Sequence, residues 1–188
     1  FEDSKGTVWI GTIDDGLYRL DGDSLQVVFS RYNEQTVRVN AIIERRPGSL
    51  WLASNLGLIE VKHNQSDGAT LENHYPNVHV LSICEDRKGT LWLGLMNGVA
   101  KMDASSTTLF ATNEGLPGNR GLSLLEDARG RLWAGTGQGA AYCTGQRFVT
   151  PETLDALSRR NINSLFEDQD GDLWFGTSRG AFELKEGA

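Results

Sequence analysis

The chain has 188 residues, of which 39% are hydrophobic, and its 25 acidic and 18 basic residues give a formal net charge of −7. This balance disfavours nucleic acid and anionic membranes as partners, because both carry negative charge and no basic run offsets it. The two cysteines, Cys84 and Cys143, lie 59 residues apart, which excludes a disulfide framework and a four-cysteine zinc site.

Five tryptophans mark an internal repeat along the chain. They are separated by 42, 41, 41 and 41 residues, and they are Trp9, Trp51, Trp92, Trp133 and Trp174. A period of about 40 residues is typical of solenoids and propellers. We therefore predict a single repeat array over residues 1–188.

Each repeat is predicted to begin with an apolar strand that leads into a tight turn before the tryptophan. A glycine stands three residues before each tryptophan, at Gly6, Gly48, Gly89, Gly130 and Gly171. An aspartate usually precedes the glycine by three residues, which is the chemistry of a hairpin closed by a residue with positive φ. We interpret Asp86, Asp127 and Asp168 as such turn residues and not as catalytic or calcium-binding carboxylates.

A second turn and two further strands follow each tryptophan. The second turns contain Gly16, Gly57, Gly98, Gly139 and Gly180, and a short apolar run follows each of them. Four short antiparallel strands in about 40 residues make one propeller blade. The sequence therefore predicts an all-β fold, a β-propeller with about five four-stranded blades of about 41 residues, either closed or part of a larger ring of about seven blades. The predicted blades span approximately 1–35, 36–76, 77–117, 118–158 and 159–188, and residues 153–160 are predicted to form a short helical turn.

Polar residues recur where a ligand would meet a propeller. The loops that enter each first strand and those that join the second and third strands share one face, around the channel mouth. Thirteen residues before the tryptophans stand Arg38, His79, Arg120 and Asn161, and the second turns add Asp14, Asp15, Asn55, Asn97, Gln138 and Arg179. We predict that these residues bind a polar or acidic small molecule, with arginine supplying forked donors. The alternative is that each residue bonds only to neighbouring loops and water.

No constellation for metal binding or catalysis stands out. His63, His74 and His79 fall on different strands, which favours local hydrogen bonds over a metal site. The sequence has no Gly-x-Ser-x-Gly elbow and no phosphate-binding loop before a helix, so we predict no cofactor, no metal and no catalysis. Two alternatives stay open. One is a lyase or glycosidase in which His79 and Asp14 or Asp15 act as base and partner, and the other is a scaffold that only docks proteins.

The repeats resemble the two-component regulator propeller repeat. The resemblance rests on Phe1-Glu-Asp-Ser-Lys-Gly-Thr-Val-Trp-Ile-Gly-Thr and on its copies that start at Cys84, Leu125 and Phe166. The second copy departs from the pattern, with Glu44-Arg45-Arg46-Pro47-Gly48 in the turn and Ala53 in place of the later glycine. Asn113-Glu-Gly-Leu-Pro-Gly-Asn119 also resembles the linker of that family into the next blade.

The resemblance implies a role in sensing. In that family the repeats form the periplasmic or extracellular sensor region of membrane-anchored histidine kinases, hybrid regulators and some diguanylate cyclases, and they often recognise saccharides. We therefore expect a ligand-sensing or interaction module of a bacterial signal-transduction receptor, in its periplasmic or extracellular portion. The expected partners are a small polar or saccharide ligand and neighbouring receptor domains, without nucleic acid or direct membrane contact. Exposed strand edges would favour self-association.

Overall fold

The computed structural model describes residues 1–64, 68–103 and 105–185. Within these residues lie 20 β-strands, arranged in antiparallel sheets of two to four strands, and two short 3-10 helices. The predicted all-β propeller architecture is confirmed. The chain separates into two compact units, Phe1–Leu81 and Ser82–Ala188, which are described one at a time.

The first unit contains two blades joined through a small hairpin. Blade one is the sheet β1-β2-β3, the hairpin is β4-β5, and blade two is β6-β7-β8-β9. Leu17, Val37 and Leu52 are fully buried in the core that these sheets share with Trp9. The strands are β1 (Trp9–Gly11), β2 (Leu17–Asp21), β3 (Ser24–Phe29), β4 (Arg31–Tyr32), β5 (Gln35–Thr36), β6 (Val39–Arg46), β7 (Ser49–Ser54), β8 (Gly57–Asn64) and β9 (Gly68–Asn73).

The second unit contains blades three, four and five. Blades three and four are the four-stranded sheets β10-β11-β12-β13 and β14-β15-β16-β17, and blade five is β18-β19-β20. The 3-10 helices are Thr112–Glu114 and Glu152–Leu157, and the second confirms the predicted helical turn. The strands are β10 (Val80–Glu85), β11 (Leu91–Leu95), β12 (Gly98–Met102), β13 (Thr107–Phe110), β14 (Gly121–Glu126), β15 (Leu132–Thr136), β16 (Gly139–Cys143), β17 (Phe148–Val149), β18 (Ile162–Glu167), β19 (Leu173–Thr177) and β20 (Gly180–Leu184).

An aspartate holds the tight turn and the tryptophan together in four blades. In blade four, Oδ1 of Asp127 accepts the backbone N–H groups of Arg129 and Arg131 at 3.0 and 2.8 Å, and Oδ2 accepts the indole N–H of Trp133 at 2.8 Å. The equivalent indole contacts are Trp9 to Asp3 (2.8 Å), Trp92 to Asp86 (2.9 Å) and Trp174 to Asp168 (2.7 Å). Gly130 in this turn has a φ of 77°, in the left-handed region. The interpretation of these aspartates as turn residues is confirmed.

Blade two replaces this aspartate with Arg45 and stabilises its tryptophan differently. The Arg45 guanidinium lies over the ring of Trp51 at 4.8 Å, a cation–π contact, and His74 stacks on the same ring at 4.5 Å. The indole N–H of Trp51 donates to the hydroxyl of Ser49 at 3.3 Å. The departure of the second repeat from the pattern therefore has a local physical compensation.

The glutamate that precedes the aspartate links one blade to the next. Its carboxylate accepts the first backbone N–H after the aspartate position in the preceding blade. The pairs are Ser4 to Glu44 (2.7 Å), Arg87 to Glu126 (2.8 Å) and Ala128 to Glu167 (2.8 Å). In the Glu-Asp pair, the aspartate thus stabilises the turn within its own blade and the glutamate binds the neighbouring blade. Both act as charged acceptors, whose hydrogen bonds are stronger than those of neutral acceptors.

A serine at the start of the first strand makes a second link between blades. The hydroxyl of Ser82 donates to the carbonyl of Gly121 at 3.2 Å, and that of Ser123 donates to the carbonyl of Ile162 at 3.0 Å. Each of these hydroxyls lies over the glycine of the neighbouring strand, Gly94 or Gly135, where a Cβ would overlap it. The glycine after the tryptophan is thus required by a close approach of another strand.

Candidate functional site

Arg38 lies between the second turns of blades one and two. Its Nε donates to the carbonyl of Ile13 at 3.4 Å, next to Asp14 and Asp15. Its backbone N–H donates to Oδ1 of Asn55 at 2.8 Å, and the Asn55 amide donates to the carbonyl of Thr36 at 3.1 Å. The structure therefore brings Arg38 together with Asn55 and with the turn that carries Asp14 and Asp15.

His79 lies beside the first strand of blade two. Its Nε2 is 3.2 Å from Nδ2 of Asn40, and the same amide donates to the carbonyl of Val80 at 2.6 Å. His79 is half-buried. The sequence did not indicate this contact, in which Nε2 of His79 lies against the side-chain amide of Asn40.

Two further predicted residues lie beside each other in the second unit. Arg120 forms an isolated β-bridge with Gly98, directly after Asn97 at the tip of the second turn of blade three. Both Arg120 and Asn97 are exposed. The residue that enters blade four therefore lies against the second turn of blade three, as Arg38 lies against that of blade one.

The same arrangement recurs at the entry to blade five. Oδ1 of Asn161 lies 3.5 Å from the position that a Cβ would take at Gly137, one residue before Gln138. The carbonyl of Gln138 accepts the backbone N–H of Arg159 at 3.1 Å, and a cavity of about 280 Å³ lies here. Part of this cavity is lined by Leu154, Asp155, Ser158 and Arg159. Sequence reasoning missed them because it treated this connection only as a short helical turn.

The remaining predicted residues stand at turns. The backbone N–H of Asp15 donates to the hydroxyl of Thr12 at 2.9 Å, and that of Arg179 donates to the hydroxyl of Thr177 at 3.1 Å. Asp14, Asp15 and Arg179 are exposed. The structure thus places Arg38, Arg120 and Asn161 each beside the second turn of the preceding blade, whereas His79 contacts Asn40. The common ligand site stays a prediction.

One charged cluster on blade two contains groups that can ligate metals. The carboxylate of Glu60, which is 8% exposed, lies 2.9 Å from Nε2 of His74 and accepts the hydroxyl of Ser49 at 2.7 Å. Glu72 completes a set of three possible ligands. The ammonium of Lys62 lies 3.3 Å from Glu60 and 3.7 Å from Glu72, so a lysine already balances these carboxylates. His63 has no described side chain.

The two cysteines are free and half-buried. Burial raises the pKa of Cys84 to about 11, and it also raises the pKa of Cys143. Because the thiolate is the nucleophile, a thiol with such a raised pKa stays protonated near neutral pH. Neither thiol is therefore set up as an activated nucleophile.

The match to a known family covers three of the repeats. The family model described as the two component regulator propeller matches residues 74–97, 115–138 and 156–179. Three segments of the chain therefore match the two component regulator propeller repeat. The matched segments contain Trp92, Trp133 and Trp174, and blade two, with Arg45 and Ala53 at pattern positions, lies outside them. Among curated proteins, no sequence matches this chain.

Solved propeller structures resemble the chain over nearly its whole length. The extracellular domain of a protein described as a hybrid two component system, from B. thetaiotaomicron, has 25% identity and a TM-score of 0.82, and the match covers 99% of this chain and 26% of that one. PorZ of the type-IX secretion system of Porphyromonas gingivalis has 16% identity and a TM-score of 0.68, covering 96% and 31%. Virginiamycin B lyase from Staphylococcus aureus has 15% identity and a TM-score of 0.68, covering 100% and 69%.

These comparisons place the chain among larger propeller proteins. The chain spans about a quarter of the length of the two-component extracellular domain that it matches. The lyase and PorZ, both well below 25% identity, support the fold alone. In the described part of the chain, no helix combines the length and the apolar character that crossing a membrane requires.

Proposed function

We propose that the chain is a ligand-sensing or interaction module of a bacterial signal-transduction receptor, exposed to the periplasm or the cell exterior. The ligand is a polar small molecule or a saccharide that contacts the blade-entry and second-turn residues, and the module itself performs no catalysis. Its binding changes how neighbouring receptor domains pair and thereby controls an attached output domain.

One observation carries this proposal. The chain combines two component regulator propeller repeats with a 0.82 TM-score match, at 25% identity, to an extracellular domain described as part of a hybrid two component system. The geometry adds that Arg38 and Arg120, both exposed, each lie beside the second turn of the preceding blade. Guanidinium groups at such positions present forked donors to carboxylates and hydroxyls.

The test of the proposal is a binding measurement with two arginine variants combined. Isothermal titration with galacturonic acid and its oligomers is carried out on the natural chain and on Arg38→Ala with Arg120→Ala. We expect saturable binding to the natural chain, a loss of at least about tenfold in the double variant, and an unchanged melting temperature. Equal affinity in the double variant would remove these two residues from the site.

An enzyme remains the second candidate because virginiamycin B lyase and a gluconolactonase-family protein share the fold. In that case His79 would act as the base at the same loops. Incubation of the chain at high concentration with lactones and oligosaccharides, followed by chromatography, distinguishes the two functions. If product forms with the natural chain and not with His79→Ala, the function is catalysis and not sensing.

A further inference from the structure

A cavity of about 350 Å³ lies in the first unit, apart from the arginine and histidine positions predicted from the sequence. The hairpin β4-β5, the second turn of blade two, the end of β9 and the loop after it surround this cavity. Its lining consists of Tyr32, Asn33, Gln35, Asn55, Leu56, Asn73, Pro76 and Asn77. Five of these eight residues carry a side-chain amide, and none carries an acid or a basic group.

Two of the amides build the walls of the cavity. Asn55 accepts the backbone N–H of Arg38 and donates to the carbonyl of Thr36. Asn73 donates to the carbonyl of Leu56 at 3.0 Å and accepts the backbone N–H of Tyr75 at 3.2 Å. Each of these side chains uses its oxygen and one N–H group in a bond to the backbone, so both amides hold the loops in place.

The other three amides are available. Within the described residues, the side chains of Asn33, Gln35 and Asn77 have no hydrogen-bond partner, and all three are exposed at the rim of the cavity. Asn33 and Asn77 have φ values of 48° and 63°, a conformation that asparagine tolerates, so turn geometry accounts for these two residue types. No such reason applies to Gln35, which lies in strand β5.

The chemistry of the lining selects a class of ligand. A free amide offers both a donor and an acceptor, and a hydroxyl group also has both, so amides suit neighbouring hydroxyls on one molecule. Leu56 and Pro76 add an apolar surface for C–H groups. An ionised ligand would lose its hydration here without meeting an opposite charge on the lining. The volume is near the lower end of ligand pockets and suits one or two sugar-sized rings.

We propose that this amide-lined cavity binds an uncharged polyhydroxylated ligand, and that Gln35, Asn33 and Asn77 contact it. The site shares Asn55 with the one under the proposed function, but it uses none of the charged loop residues. It can therefore hold even if Arg38 and Arg120 have no role in binding.

The test uses cellobiose and maltose as uncharged probes and digalacturonic acid as the charged comparison. Binding is followed by isothermal titration with the natural chain, with Gln35→Ala combined with Asn77→Gly, and with Gln169→Ala as the matched control. Glycine at position 77 keeps the left-handed backbone, and Gln169 is an exposed amide in the turn of blade five. We expect saturable binding of an uncharged probe that weakens about tenfold in the double variant and is unchanged in the control.

Two results would overturn the inference. One is the absence of saturable binding by both uncharged probes, and the other is equal affinity in the natural chain and the double variant. Loss of digalacturonic acid binding in Arg38→Ala with Arg120→Ala, together with intact cellobiose binding, would assign the two ligand classes to separate sites. Melting temperatures of all variants check that the fold is retained.

Discussion

Asp127 combines nearly complete burial with a dense set of hydrogen bonds. It is 1% exposed and accepts bonds from the indole of Trp133, from two backbone N–H groups and from the Arg131 guanidinium. Burial acts to raise the pKa of Asp127, but the bonds from Trp133 and Arg131 outweigh it and hold the pKa below its ordinary value. A carboxylate with a lowered folded-state pKa stabilises the fold above its unfolded pKa, and this contribution is lost as the pH falls through the lowered value.

We therefore expect Asp127→Asn to weaken both the fold and its response to acid. The substitution keeps the shape of the side chain, but it removes the charge and turns one acceptor into a donor. Urea unfolding at pH 7 should show a loss of about 1–3 kcal/mol. Between about pH 5 and about pH 2 the variant should lose less stability than the natural chain.

The control for this prediction is Asp14→Asn, which changes an exposed carboxylate at a turn. Its stability at neutral pH should stay within about 0.5 kcal/mol of the natural chain. Identical pH dependence of stability in Asp127→Asn and in the natural chain would contradict the stabilising role of the Asp127 charge.

At the scale of strands, a serine and a glycine act as a matched pair across the first two strands of a blade. Ser123 pairs with Gly135 and Ser164 with Gly176 in the strand register. Blade two carries alanine at both positions, with Ala41 opposite Ala53. Removing the hydroxyl in blade two makes room for the Cβ that the other blades exclude, so the two departures in that repeat compensate each other.

This pairing predicts a non-additive response in blade five. The three atoms nearest to a Cβ at Gly176 would all belong to Ser164. Gly176→Ala alone should destabilise the chain by about 1–3 kcal/mol, as overpacking does. Adding Ser164→Ala should recover most of this loss, because it removes the overlapping hydroxyl. Urea unfolding of the two single variants and the double variant measures the coupling between the two positions.

Blade four provides the control for that cycle. A Cβ at Gly135 would approach both the Ser123 hydroxyl and the Ile162 side chain of the next blade. Ser123→Ala should therefore rescue Gly135→Ala much less than the equivalent change rescues Gly176→Ala. Equal rescue in both blades, or strictly additive effects, would contradict the pairing.

The strands and turns were predictable because a fixed spacing of tryptophan, glycine and aspartate encodes them locally. The hairpin β4-β5 was not predicted, since its turn uses Asn33 and Glu34 at positive φ instead of glycine. The amide cavity depends on that hairpin and was missed with it. The contacts of Arg38 with Ile13 and Asn55 join residues far apart in sequence, and residue spacing indicated only that their loops share one face.

At the scale of the whole chain, blade five repeats the donor groups that link the earlier blades to one another. Within the described residues, neither the Ser164 hydroxyl nor the backbone N–H of Gln169 has a hydrogen-bond partner, although their counterparts in blades three and four link to the next blade. Phe166 is 62% exposed, whereas Leu125 at the equivalent position of blade four packs against a buried cluster. An exposed apolar strand with unused donors favours association with another copy.

We expect the chain to self-associate through this face of blade five, and the ionic strength should control the extent. The net charge of −7 makes copies repel one another at low salt, and salt screens this repulsion. Light scattering during size exclusion should show a mass that rises with concentration and with salt. Phe166→Glu should hold the chain at the mass of one copy, whereas Leu25→Glu, which changes a 56% exposed side chain on β3, should not. The mass of a single copy under all conditions for the natural chain would contradict association through this face.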